Sequence, residues 1–194
     1  MGMVLTLRRA TDNQLDTLLR HPKLIEEFLF EQPRLEAVEK TGLMDKLVSS
    51  FGFQRRTPVI ECEREEGDEI DLDKSWHGMQ FVLAGSGYAT GTPLSFLVEE
   101  WPEIGDIDVG YGPAKAIHSA SVGRFHEALA KVDKAYLRTN YDPESMHQDE
   151  IYLSHFFIEN PDQGFEYSAE WFNELRNFIQ SCVTRNMGVV SYVS

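Results

Sequence analysis

Apolar and polar residues alternate from residue 2 to residue 9. Met3, Leu5 and Leu7 fall on one side and Val4, Thr6 and Arg8 on the other, a period of two that predicts a strand. Thr11 and Gln14 then stand at capping-box spacing, so a helix starts there, with Leu15, Leu18 and Leu19 as its stripe and His21-Pro22 as its end. Leu24, Ile25, Phe28 and Leu29 predict a short second helix, and Thr41-Gly42 precedes a third over Leu43 to Phe51. Leu72, Trp76, Met79 and Leu83 form a continuous helical stripe, started by Asp71 or Asp73 and stopped at Gly85. Pro93 is expected to open a helix through Leu94, Leu97 and Val98. A Gly-punctuated passage from Ile104 to Pro113 leads into a strand over Ala114 to His118. Ser119 or Ser121 then caps a helix carrying Val122, Phe125, Leu129 and Val132. Tyr141-Asp142-Pro143-Glu144 is a further helix start. The longest helix is expected over residues 165–185, on Trp171, Phe172, Leu175, Phe178, Ile179, Cys182 and Val183, and a closing strand follows at Val189 to Val193.

The length, 194 residues with 42% apolar composition, fits one domain with a sizeable core. Formal charge is −14, which sets phosphate backbones and anionic lipid surfaces aside as principal partners. The acidity is uneven. Residues 61–73 carry eight acidic groups against Arg64, a local sum of −7, whereas residues 115–138 carry five basic against two acidic, or +3. Crowding at Glu61, Glu63, Glu65, Glu66, Asp68 and Glu69 predicts an exposed loop, after a short strand at Val59 and Ile60. Two cysteines without a CxxC pair, no secretory signal and no membrane-length apolar run together predict a cytoplasmic protein.

Candidate chemistry centres on Asp73, Lys74, Trp76 and His77. Four positions apart on a helix, Asp73 could orient the His77 imidazole as a general base requires, while the bland reading makes Asp73 a first-turn acid and His77 a locally paired boundary residue. Gly85-Ser86-Gly87 with Gly91 misses the dinucleotide fingerprint and there is no P-loop, so these glycines read as turns. His118, His126, His147 and His155 lack metal-ligand spacing, Cys182 falls on an apolar helix face, and neither a metal nor a cofactor is expected.

Asp71-Leu72-Asp73-Lys74-Ser75-Trp76-His77, running on to Leu83-Ala84-Gly85, resembles the signature helix of the bacterial YfbM-like family, whose function is unknown. Val109-Gly110-Tyr111-Gly112-Pro113-Ala114-Lys115 is similar to that family's Tyr-Gly-Pro-Ala-Arg passage, with Lys115 where an Arg is often found. The resemblance spans residues 1–194 as one domain, with 22–68 the most divergent part. It implies an α/β fold bordering on α+β: three layers, a small mixed sheet with helices on both sides.

Two functional readings follow. The first is non-catalytic, immunity-like recognition of a basic protein by an acidic patch of Glu61, Glu65, Glu66 and Asp68 with Trp101 as aromatic anchor, Glu99, Glu100, Glu103, Asp106 and Asp108 forming a second cluster. The alternative is a small-molecule or nucleotide-acting enzyme, with Asp73 and His77 catalytic and Lys74, Trp76, Tyr111, Gly112 and Lys115 binding. That reading requires a cleft where Asp73, His77 and Tyr111 converge.

Overall fold

The computed structural model of the chain describes residues 2–30, 60 and 64–194. In chain order the elements are β1 (Leu5–Ala10), α1 (Asp12–Arg20), α2 (Ile25–Phe30), β2 (Glu69–Asp71), α3 (Trp76–Ala84), β3 (Glu103–Asp108), β4 (Pro113–Ile117), α4 (Ser119–Leu129), α5 (Lys134–Asn140), α6 (Pro143–Gln148), α7 (Ser154–Glu159), α8 (Pro161–Thr184) and β5 (Gly188–Val193). The helix expected at 43–51, Val59 and Glu61 lie outside the described residues.

The five strands form one sheet in the order β2-β1-β5-β4-β3. Alternation along its central strands separates two cores. Leu5 and Leu7 of β1, Ile117 of β4 and Val189 of β5 pack with α3, α4 and α8 on one face, while Ala114, Ala116, Val190 and Tyr192 pack with α1 and α2 on the other. The three-layer α/β arrangement of the single domain is therefore as expected. Where a mixed sheet was anticipated, every described pairing is antiparallel. The cause is connectivity: β3 and β4 are a hairpin, and β5 returns along β1 with Leu5 opposite Val193 and Ala10 opposite Gly188.

Local signals act where the side chains reach the backbone. Thr11 accepts from the Gln14 amide while the Gln14 side chain accepts from the Thr11 amide, the reciprocal cap expected of that pair. Asp142 accepts from the amides of Glu144 and Ser145. Cap chemistry at α4 comes from outside the helix: Asp12 of α1 accepts from the Ser119 amide at 2.8 Å and its hydroxyl at 2.7 Å, in place of a Ser119 or Ser121 side-chain cap. Pro93 opens only the one-turn 3-10 segment Pro93–Ser95, not a helix through Val98.

β1 is covered on both faces and paired on both edges, so its two arginines are buried and must be satisfied inside. Arg8 donates to the carbonyls of Phe28 and Leu29, which end α2, and lies 4.4 Å over the Phe28 ring. Arg9 projects to the opposite face, pairs with Asp68 at 3.2 Å, donates to the Gly67 carbonyl and lies over Phe178.

Candidate functional site

Asp73 and His77 do not meet. Residues Asp73–Ser75 form a 3-10 turn that Asp73 enters at φ 47, and the α-helix begins only at Trp76, so the four-residue spacing of an α-helix does not apply between them. The Asp73 carboxylate instead accepts the Tyr167 hydroxyl of α8 at 2.6 Å, and Asp71 accepts the Asp73 amide at 2.5 Å. Burial first, and then the Asp73 hydrogen bond, push the Tyr167 phenol far above its ordinary value.

His77 is 6% exposed and both ring nitrogens are engaged. Its Nδ1 accepts the Tyr152 amide at 3.1 Å, and its remaining N–H is hydrogen-bonded to the Gly87 backbone. Burial lowers its pKa below the ordinary 6.5, against an opposing contribution from the Gly87 bond. Gly87 is required by this approach, since a Cβ there would stand 2.6 Å from His77 Nε2. Trp76 stacks on the imidazole with centroids 4.9 Å apart and donates its indole N–H to the Met3 carbonyl at 3.2 Å. Tyr88, 61% exposed, meets the same ring edge-on. Lys74 lies across Gly2, beside the Tyr152 hydroxyl. The cluster thus ties the chain's first residues to α3 and to the loop at Glu150–Leu153, where Glu150 and Leu153 both take positive φ.

Tyr111 lies in the β3–β4 turn with its ring 56% exposed. Its amide donates to the Val193 carbonyl, and the Gly110 and Gly112 amides donate to Asp108, which holds that carboxyl below the usual range. Lys115 sits in β4, opposite Glu103 on one side and Ser191 on the other. Among the described residues, clefts of about 560, 480 and 440 Å³ include none of Asp73, His77 and Tyr111 in their linings. Tyr152 and Tyr167, which do the positioning here, lie 75 and 94 residues from their partners and carry no local sequence signal.

The acidic patch divides in two. Asp68 pairs with Arg9 and lies 3.8 Å from Arg185, while Glu65 pairs with Arg185 at 2.8 Å and Glu66 stays exposed. Trp101 is elsewhere: it stands two residues before the Glu103 end of β3, at the sheet edge opposite β2, and so does not anchor the Glu65–Asp68 loop. Its neighbours are Glu99 and Glu100, with which it lines the 440 Å³ cleft together with Arg124. Glu99 accepts the Gly91 amide at 2.6 Å.

A family model described as a domain of unknown function, DUF1877, matches residues 1–192. The chain belongs to this family. Among solved structures, the DUF1877 chain is similar to YfbM from Escherichia coli, itself described as a protein of unknown function. The TM-score is 0.63 at 15% identity, covering 98% of this chain and 99% of that one, and the likeness is one of fold. No curated protein matches.

Three of the four remaining histidine candidates of the DUF1877 chain have hydrogen-bond partners. His118 meets Asp16 at 3.0 Å, His126 meets Gln180 at 2.7 Å and His147 meets the Ser154 hydroxyl at 3.2 Å. Among the described residues no group of three or more His, Cys, Asp or Glu could hold a metal ion, and no helix is long and apolar enough to cross a membrane. Burial pushes the Cys182 thiol up to about 12, far from thiolate reactivity.

Proposed function

We propose that this chain is a non-catalytic recognition module whose edge from Glu99 to Asp108, with Trp101, binds a basic protein partner. One observation carries the reading. Glu100, Glu103 and Asp106 stand exposed on or just before β3, and none forms an ion pair among the described residues. Unneutralised carboxylates on one edge steer a cationic partner and set its orientation. Trp101 supports an anchoring role because its ring is fixed: the indole N–H donates to the Phe96 carbonyl at 2.8 Å, and the two rings pack at 5.7 Å.

β3 is irregular between Glu103 and Asp108, with Gly105 at φ 67. A bulge and edge charges disfavour addition of another strand, so recognition here works through side chains. The commitments of Asp73 to Tyr167 and of His77 to Tyr152 and Gly87 weigh against the enzyme reading. The test is capture of partners from the native host at low and moderate salt, using the chain as bait. A basic protein held by the wild type and lost by E100K/E103K/D106K is expected; retention by that variant, or capture of no basic protein, rejects the proposal.

A further inference from the structure

Spacing along the chain hides one pair of side chains that the fold brings together. His147, near the end of α6, and His155, in the first turn of α7, lie with their ring centroids 4.8 Å apart and their planes at 63°. Both residues are exposed. Residues 149–153 connect the two helices, and hydrogen bonds hold this connection in place: the Glu150 amide donates to the His147 carbonyl, the Ile151 amide to the Met146 carbonyl and the Tyr152 amide to His77 Nδ1. Glu150 at φ 53 and Leu153 at φ 68 both take the left-handed backbone that non-glycine residues rarely adopt. Such strain persists only where the surroundings impose it, and here it closes the turn that sets the two imidazoles side by side.

A second observation is the partner of His147. Its Nδ1 lies 3.2 Å from the hydroxyl of Ser154, a residue only 7% exposed. A hydroxyl that accepts from Nδ1–H leaves the lone pair on Nε2, the tautomer in which a histidine ligates a metal while its other nitrogen is held from behind. His155 makes no side-chain hydrogen bond or ion pair among the described residues, only the ring contact with His147. Two imidazole nitrogens, each about 2.0–2.1 Å from one ion, place their ring centres about 5 Å apart, which is the spacing these two rings already have.

We propose that His147 and His155 form a two-histidine site for a late first-row divalent ion of the Zn²⁺ type, with Ser154 as the positioning group. Imidazole nitrogen selects such ions over Mg²⁺ and Ca²⁺, which take oxygen ligands. Among the described residues no third His, Cys, Asp or Glu completes the set, so the remaining coordination positions of the bound ion fall to water. The site does not depend on the protein-recognition reading.

Isothermal titration of the full chain with ZnCl₂ tests it, in ~5 mM Mg²⁺ to occupy exposed carboxylates. Saturable binding of one ion per chain is expected with a Kd of about 1–100 µM, since two of the four ligands of a structural zinc site supply roughly half of its binding free energy. His147→Ala and His155→Ala, both at exposed positions, should each weaken binding about tenfold or more. Ser154→Ala should weaken it by less, and His118→Ala should leave it unchanged. Absence of saturable Zn²⁺ binding below ~1 mM, or binding that either His147→Ala or His155→Ala leaves unchanged, overturns the proposal.

Discussion

The Glu65–Asp68 loop and the Glu99–Asp108 edge are both acidic and exposed in part, yet they differ in what their charges face. In the loop Asp68 lies against the buried Arg9, and Arg185 of the α8 end spans Glu65 and Asp68. At the edge Glu100, Glu103 and Asp106 form no ion pair among the described residues, although Lys115 stands opposite Glu103 across the β3–β4 pairing. The sequence sum of −7 at residues 61–73 therefore overstates the free charge there, since part of it serves to keep two arginines in place. Local charge density does not report available charge; the partners that the fold brings from β1 and α8 decide it.

The largest expected effect is at Arg9. Arg9→Met leaves Asp68 without its buried partner and should destabilise the chain by about 2–4 kcal/mol in urea unfolding. A neutral outcome would remove the distinction between a tied loop and a free edge. His77 extends the contrast to a group held neutral. Its pKa is lowered by burial, so the unfolded chain binds the proton more readily, and stability should be full above the ordinary value of 6.5 and fall as pH drops below it. Urea midpoints measured from pH 7.5 to pH 5, around that pKa, should show this slope, and His77→Asn should flatten it.

Smaller again is Glu65→Gln, which removes one end of a largely exposed pair and should cost less than about 0.5 kcal/mol. E100K/E103K/D106K should change stability least of all, within about 0.5 kcal/mol, because those exposed carboxylates form no ion pair among the described residues. A substantial loss there would mean that the edge charges have a structural task.

Much of the fold was legible wherever a signal is local. Thr11 with Gln14, Asp142 with Pro143, the stripe of α8, the alternation of β1 and the apolar run of β5 each encode their element within a few residues. β3 was not legible, because Gly105 and the flanking acids interrupt the alternation and leave only Ile104 buried and Ile107 half-buried. β2 is three residues long and exists through pairing with Thr6, Leu7 and Arg8. Asp73 and His77 are not brought together, for a related reason. Helical spacing presupposes an α-helix, and the 3-10 turn with Asp73 at positive φ sends the carboxylate to Tyr167. The separation of Trp101 from the Glu65–Asp68 loop was equally invisible, since it follows from strand order.

The most direct measurement of the central claim is the association rate of the captured basic partner as a function of salt, compared among the wild type, E100K/E103K/D106K and E65K/E66K. The wild type should slow about tenfold or more from low to moderate ionic strength, the edge variant should be slow and nearly salt-independent, and the loop variant should follow the wild type. Loss of salt dependence in the loop variant with its retention in the edge variant would contradict the assignment of free charge to the β3 edge.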